Sequence, residues 1–233
     1  MRLYQRTLIT ALCALLIVSA AVSGVLAYSV SSESDTNVMS VGRVKITLDE
    51  AQVDPQGVPV PDAPRTTQGN HYELKPGHTY TKDPTVTVAG GSRDAYVRVM
   101  VTIRGYSSVE ATFGQGFSLR AWLTGYDETV WTPAGTPVRD DEQDSITYEL
   151  RYHQPCVQSA QDTALPPVFS GFAVPGSVTG DQLRLIAQSA AEVAVEIEGH
   201  SIQKDAFNTA DDAWAAFDAA QNKSVSSGDA LTE

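Results

Sequence analysis

Few residues of this 233-residue chain are of a type and spacing that would support catalysis or metal binding. The four histidines, His71, His78, His153 and His200, are scattered, and none lies in the His-Glu-x-x-His pattern that places two zinc ligands on one helix face. The sequence also contains no Gly-x-Ser-x-Gly elbow and no glycine-rich phosphate loop. We therefore expect no catalytic residue, no metal site and no cofactor.

Carboxylates are plentiful, and the densest run lies at residues 140–144, with three aspartates and a glutamate. Oxygen ligands at this density could bind calcium, but the run lacks the spaced aspartates and twelfth-position glutamate of a calcium loop. We interpret it as the solvated tip of a hairpin. Two carboxylates could also hydrolyse a glycoside. However, Trp122, Trp131 and Trp214 are too dispersed to indicate an aromatic sugar cleft, so carbohydrate binding stays an alternative only.

The two cysteines are Cys13 and Cys156. Cys13 lies in an N-terminal apolar segment that we expect to be removed, which leaves Cys156 alone and excludes an intramolecular disulfide. The fold must then rest on its hydrophobic core. Cys156 follows the polar sequence His153-Gln154-Pro155, and we interpret it as a semi-exposed thiol without a role. Pairing between two molecules is the alternative.

The first 27 residues have the organisation of an export signal. Arg2 and Arg6 precede an apolar segment over residues 8–27, which ends in Val25-Leu26-Ala27. A basic start, an apolar core and small residues at the −3 and −1 positions predict cleavage between Ala27 and Tyr28. A run of about 20 apolar residues could also span a bilayer, so an uncleaved anchor is the alternative. We expect a secreted, extracellular protein or one at the cell surface, with membrane contact only through an uncleaved signal.

The charge balance argues against nucleic acid as a partner. The chain has 28 acidic and 16 basic residues, a formal net charge of −12, and loss of Arg2 and Arg6 would make it more negative. Binding to phosphate backbones needs a basic surface. Acidity in an exported protein mainly favours solubility and repulsion between like chains.

Alternation of apolar and polar residues dominates the middle of the chain. In residues 96–103 Val97, Val99, Val101 and Ile103 share one face, whereas Tyr96, Arg98, Met100 and Thr102 share the other. This period of two is typical of a strand in a sheet that is covered on one side. Similar alternation occurs at residues 44–48, 117–123, 146–152 and 193–197. Short strands separated by glycine and proline turns predict a mainly β fold, a jelly roll or β-sandwich.

The remaining segments predict a loop and a few short helices. Residues 49–69 contain four prolines and indicate a surface loop. Thr179 is a predicted cap for a helix over residues 180–186. Thr209, with an acidic residue three positions later, predicts the start of a second helix.

Trp214 and Phe217 share one face of that second helix and should pack on the sheet. Residues 222–233 lack apolar periodicity, so we expect a disordered tail. The roughly 200 residues that remain after removal of the signal suffice for one core, and we expect one domain over residues 41–221.

Several segments are similar to those of one group of exported proteins. They are Leu26-Ala27-Tyr28, Asp35-Thr36-Asn37, the strand at 41–48, Leu74-Lys75-Pro76-Gly77, Lys82-Asp83, and residues 166–169, 174–179, 198–207 and 213–217. Together they resemble the TasA and camelysin family, whose members carry a SipW-type signal peptide.

The resemblance implies a jelly-roll domain, export with the help of a specialised signal peptidase, and assembly into biofilm-matrix fibres. The chain would be a fibre subunit or an accessory that contacts other matrix proteins. Members named camelysin carry a metalloprotease label. Because the sequence has no protease zinc motif, a surface metalloprotease is the less favoured alternative.

Residues 28–40 are our candidate donor strand. Edge strands of a sheet expose unpaired N–H and C=O groups, and an extended segment from another copy can pair with them. The apolar residues of this segment are few, namely Tyr28, Val30, Val38 and Met39, so it need not belong to the monomer's own core. Such a head-to-tail contact stays open and produces filaments. The alternative is a flexible leader on a monomeric adhesin or carbohydrate-binding protein.

Overall fold

A computed structural model describes residues 38–114, 118–187 and 193–228. Over these ranges the chain forms eleven strands, four α-helices and one 3-10 helix at Lys204–Ala206, which confirms the predicted mainly β class. The strands are β1 Val38–Val41, β2 Ile46–Asp49, β3 Thr79–Thr81, β4 Thr85–Val88, β5 Ala95–Arg104, β6 Leu123–Thr124, β7 Trp131–Asp140, β8 Ser145–Tyr152, β9 Thr163–Ala164, β10 Gly171–Ala173 and β11 Ala194–Gln203. The helices are α1 Tyr106–Phe113, α2 Leu119–Trp122, α3 Gly180–Ala187 and α4 Ala210–Gly228.

The largest sheet has five strands in the order β1-β11-β5-β8-β7. Its strands are antiparallel to their neighbours except β1, which runs parallel to β11 with Val38 opposite Gly199 and Val41 opposite Ile202. Two three-stranded sheets have the orders β3-β10-β6 and β2-β4-β9. In the described part of the chain, β1 and β7 are therefore the edges of the large sheet.

The main core lies against one face of the large sheet. Val97, Val99, Val101 and Ile103 of β5 are each at most 1% exposed, which confirms the predicted apolar face. They belong to one cluster with buried residues of both smaller sheets; Ile46, Leu48, Tyr80, Val86, Val88, Leu123 and Phe172 are members. All three sheets thus share a single hydrophobic core.

A second, smaller core covers part of the opposite face of the large sheet. It contains Val41 of β1, Ile202 of β11, and Ala213, Trp214 and Phe217 of α4. The predicted packing of Trp214 and Phe217 on the sheet is confirmed. The expectation of a sheet covered on one side only is wrong here, because α4 lies over this face.

Both predicted helix starts are confirmed by their hydrogen bonds. The Thr209 hydroxyl oxygen accepts the N–H of Asp212 at 3.1 Å before α4. Before α3, the Thr179 hydroxyl oxygen accepts the N–H of Gln182 at 3.3 Å, and Gln182 Oε1 accepts the N–H of Thr179 at 2.8 Å. This reciprocal pair is a capping box, which satisfies two of the N–H groups that a helix start leaves open.

Three segments differ from their predicted structure. Residues 119–122 form α2 instead of a strand, because the Ser118 hydroxyl caps this turn by accepting the N–H of Ala121 at 3.3 Å; Phe117 lies outside the described residues. The predicted strand at 41–48 is divided into β1 and β2 at Gly42, where φ is 89°. Residues 222–228 of the predicted disordered tail continue α4, since extension of an existing helix costs little.

The proline-rich segment is a surface connection between β2 and β3, as predicted. Isolated bridges join Glu50 to Thr66 and Val53 to Pro59 within it. The acidic run forms the turn between β7 and β8, where Asp140 Oδ1 accepts two backbone N–H groups at 3.0 Å. This confirms the predicted hairpin tip.

Candidate functional site

Strand β1 contains the part of the candidate donor segment that the structure describes. The predicted cleavage residues Ala27 and Tyr28, and the donor residue Val30, lie outside the described residues. Val38 packs against the main core and Met39 against the second core. The expectation that residues 28–40 stay apart from the chain's own core therefore does not hold for these two. Successive side chains of a strand point to opposite faces, so each apolar residue reaches a different core.

A short parallel pairing holds β1 on β11. Its four residues lie opposite residues 199–202, and the Ser201 hydroxyl donates to the Ser40 hydroxyl oxygen at 2.8 Å. The strand ends at Gly42, where a Cβ would lie 2.8 Å from Cβ of Gln203 and the positive φ also favours glycine. The chain leaves the large sheet at this glycine and enters β2 of a smaller sheet.

Strand β1 covers only one half of the β11 edge. Residues 194–198 pair with β5 on one side, and no strand within the described ranges pairs with their other side. A cleft of about 1430 Å³ runs beside them. Its apolar lining includes Leu48, Trp122, Phe172, Leu183, Ile186 and Val195. A sheet edge next to a cleft with apolar side chains in its wall is suited to receive a further strand, because the backbone groups pair and side chains enter the cleft.

Helix α4 lies over β1 and fixes it from the other face. Met39 packs into the second core with Trp214 and Phe217, and Gln221 Nε2 donates to the Met39 sulfur at 3.1 Å. Trp214 and Phe217 are each 1% exposed. Movement of β1 away from β11 would therefore open the contact between β1 and α4.

Arg98 of β5 is the main polar contact between the sheet and α4. Its side chain is 3% exposed, and its guanidinium carbon lies 4.5 Å from the ring centre of Trp214 and 5.1 Å from that of Phe217. Its Nε donates to Nδ1 of His200 at 3.1 Å, and it forms an ion pair with Asp218 of α4. A buried charge needs partners of this kind to offset its desolvation. Removal of either aromatic ring would expose it.

Glu149 of β8 adds further ion pairs between the large sheet and α4. It pairs with Arg98 at 3.3 Å and with Arg151 at 2.6 Å, and Arg151 reaches Asp211 in the first turn of α4 at 2.5 Å. The Asp211 side chain is largely exposed, so water and salt weaken that outer pair. The ion pair of the buried Arg98 with the half-exposed Asp218 is better shielded than that outer pair.

His200 of β11 lies beneath α4 and stacks on Phe217, with ring centres 4.8 Å apart. Because Nδ1 accepts the Arg98 hydrogen bond, the neutral ring carries its proton on Nε2, which lies 3.3 Å from Glu198 Oε1. The neighbouring His200 ring lowers the pKa of Glu198, partial burial opposes this, and the charge of Arg98 adds to the lowering. The ring thus lies between the Arg98 guanidinium and the Glu198 carboxylate.

Cys156 is buried, so its interpretation as a semi-exposed thiol is wrong. It is 8% exposed, and burial raises the pKa of its thiol to about 11. Its backbone N–H and C=O both pair with Ala95 at the start of β5. Because the thiolate is the reactive form, this thiol is poorly prepared for pairing with another molecule.

No metal centre and no membrane-spanning helix is found in the part of the chain that the structure describes. There, no three histidine, cysteine, aspartate or glutamate side chains lie close enough together to bind a metal ion. None of the described helices is long and apolar enough to cross a bilayer.

Sequence reasoning missed the role of Arg98. Its charge lies in the middle of a face whose neighbouring members, Tyr96, Met100 and Thr102, are uncharged, and the next charge on that face, Arg104, ends the strand. That pattern, together with a helix face that carries Trp214, was the sequence signal that could have indicated an arginine covered by the helix.

Comparison of the chain with known protein families, with characterised proteins and with solved structures finds no match. The site must therefore be interpreted from its own geometry. It consists of a short edge strand, the uncovered half of its partner strand, a neighbouring apolar cleft, and a helix that covers the edge strand.

Proposed function

We propose that the chain is an exported structural protein, a subunit or accessory of extracellular biofilm-matrix fibres, as its resemblance to the TasA and camelysin family implies. The proposed fold is a jelly roll, with the five-stranded sheet as one layer and the two smaller sheets as the other. The single core shared by all three sheets supports this layering. Cleavage between Ala27 and Tyr28 by a specialised signal peptidase would release the chain from the membrane.

The proposed assembly step is β-strand addition by residues 28–40. The observation that carries it is β1 itself, four residues in parallel pairing at the edge of the large sheet and followed by Gly42. In a fibre, β1 of one copy would lie on β11 of the next in the same register. The exchange costs little contact energy, because each chain regains from its neighbour the contacts that it gives up.

The uncovered half of β11 gives the donor additional room. If the parallel register continued upstream of Val38, the preceding residues would run along residues 194–198 beside the cleft. Backbone hydrogen bonds along this edge would add to those of β1. The contact joins two different surfaces of the molecule, so it repeats head to tail without closing.

A disulfide lock tests whether β1 must leave its own β11. Ser40 lies directly opposite Ser201, with their hydroxyl oxygens 2.8 Å apart, and the spacing of about 4.8 Å between paired strands falls within the Cα range of a disulfide. We expect S40C/S201C, in a C156S background, to form no fibres when oxidised and normal fibres when reduced, as seen by negative-stain electron microscopy. Each single variant is the control and should assemble in both conditions.

Fibres from the oxidised double variant would refute exchange of β1. Removal of residues 28–40 should likewise abolish fibres, and fibres without this segment would show that another surface assembles. The lock is the sharper test, since it leaves the second core intact.

A monomeric adhesin or carbohydrate-binding protein is the second candidate. The cleft favours it through grouped aromatic side chains, because the rings of Tyr72 and Trp122 lie 5.1 and 4.8 Å from that of Phe172. Such a protein would remain a monomer at neutral pH and bind a glycan array, and W122A would abolish that binding. A matrix subunit would instead sediment as a polymer and give no glycan signal.

A further inference from the structure

Two buried residues, Glu50 and Lys82, and the half-buried Asn70 form a cluster in the wall of the cleft. The side chains of Lys82 and Glu50 are only 8% and 7% exposed. Lys82 Nζ donates to Glu50 Oε2 at 2.6 Å, and Asn70 Nδ2 donates to Glu50 Oε1 at 2.8 Å. One carboxylate therefore holds an amine and a carboxamide side by side.

The carboxamide of Asn70 is fixed by two further hydrogen bonds. Its Oδ1 accepts the N–H of Val53 at 2.9 Å, and its Nδ2 donates to the carbonyl oxygen of Ala51 at 2.8 Å. The backbone N–H polarises the carbonyl and would stabilise negative charge on Oδ1 if a nucleophile added to Cγ. The other two contacts hold Nδ2 on the side of Glu50, where it could receive a proton.

The cluster is partly shielded from water, because Glu50 and Lys82 are buried while Asn70 is half-buried at the cleft wall. Tyr72 lies close by, its hydroxyl donates to the carbonyl oxygen of Thr81 at 2.9 Å, and burial raises its pKa well above the ordinary value, with the charge of Glu50 adding to the effect. Low access of water favours attack by an amine over hydrolysis of the carboxamide. It also strengthens proton transfer within the cluster.

We propose that Lys82 and Asn70 become joined by an intramolecular isopeptide bond, with Glu50 as the group that transfers the protons. Glu50 accepts a proton from the Lys82 ammonium, and the freed amine turns from Oε2 to attack Cγ of Asn70. The Nζ–Cγ bond forms and the Cγ–Nδ2 bond breaks. Nζ gives up two protons in all, and both reach Nδ2, which leaves as ammonium. Glu50 ends as the carboxylate that it was at the start, and no oxidant, cofactor or second reactant is consumed.

The bond would link the long β2–β3 connection to the end of β3. Asn70 lies in that connection and Lys82 directly follows β3. A covalent link closing residues 70–82 restricts the unfolded chain in the way a disulfide does. It would provide a cross-link in a fold whose described cysteine, Cys156, is unpaired. The bond does not depend on exchange of β1, so either proposal can fail without the other.

Peptide mass mapping of the purified, folded protein tests the bond directly. Trypsin cuts at Arg65 and Arg93, does not cut between Lys75 and Pro76, and cannot cut after a Lys82 whose amine is acylated. We expect one peptide spanning residues 66–93 whose mass is lower than the sequence by one ammonia. K82R and E50Q should both lose this species completely, and each should be cut after residue 82 to give peptides 66–82 and 83–93 at their sequence masses. The exposed control K75R should retain the loss of ammonia.

A wild-type protein that is cut after Lys82, with both products at sequence mass, would overturn the proposal. A Lys82–Glu50 amide would instead join the tryptic peptide 46–65 to peptide 66–93 with loss of one water, and this branched product would equally overturn the proposal. Because the decisive measurement uses the unaltered chain, a failure of either variant to fold does not affect the result.

Discussion

Phe217 carries much of the contact between α4 and the large sheet, and its truncation to alanine should be costly. The side chain is 1% exposed, stacks on His200 with 4.8 Å between ring centres, and meets Trp214 edge-on at 5.6 Å. Phe217→Ala would also remove one of the two rings over Arg98. Loss of a buried phenylalanine side chain costs about 3–5 kcal/mol. For a domain of this size that corresponds to a fall in Tm of roughly 6–20 °C.

The loss should be measured by urea unfolding and by native-state hydrogen exchange. We expect amides of α4 and β1 to exchange faster in the variant, while those of β5 and β8 facing the main core change less, because the second core is separate. Phe217→Leu retains apolar volume and should lose less stability. Ala216→Gly on the exposed side of α4 should cost only about 1 kcal/mol through helix propensity. A loss below about 1 kcal/mol for Phe217→Ala would refute the assigned role of α4.

Three further predictions concern single residues. In the native protein at neutral pH, Cys156 should react with iodoacetamide far more slowly than in urea, because burial raises its pKa to about 11; equal rates would contradict its placement. Since the pKa of Glu198 is lowered in the fold from 4.5, its stabilisation is present above pH 4.5 and lost as the pH falls through the folded value. The stability difference between wild type and E198Q should therefore shrink on acidification, and a constant difference would argue against the contact with His200. Gly171→Ala should destabilise by about 1–3 kcal/mol, measured by thermal unfolding, because a Cβ would collide with the carbonyl oxygen of Tyr80; an unchanged Tm would contradict that close approach.

The strands were the most predictable part of the fold. Alternation at residues 96–103, 146–152 and 193–197 corresponds to β5, β8 and β11, which are adjacent in the large sheet. Local signals also predicted the starts of α3 and α4, since a cap depends on residues only three positions apart. The pattern could not reveal what covers the second face of a sheet, so the sheet was expected to be covered on one side only.

The functional features depend on pairings between distant residues, which periodicity does not encode. The pairing of Val38 with Gly199 joins residues that are far apart in the chain, and its parallel direction has no local signal. The cluster at Lys82 is likewise formed by distant residues. Glu50 begins the β2–β3 connection, Asn70 lies in its later part, and Lys82 follows β3. At residues 119–122 the alternation was misleading, because a serine cap favoured a helical turn.

Cross-linking between two single-cysteine chains tests the central claim most directly, which is that β1 pairs with β11 of another copy. S40C and S201C chains, each in a C156S background, would be mixed, assembled and oxidised, and the S40C/S201C chain would show that the disulfide can form. Exchange of β1 predicts a disulfide-linked heterodimer from the fibres on a non-reducing gel, and none from either chain assembled alone. Fibres of the mixture that contain no linked heterodimer would contradict the account.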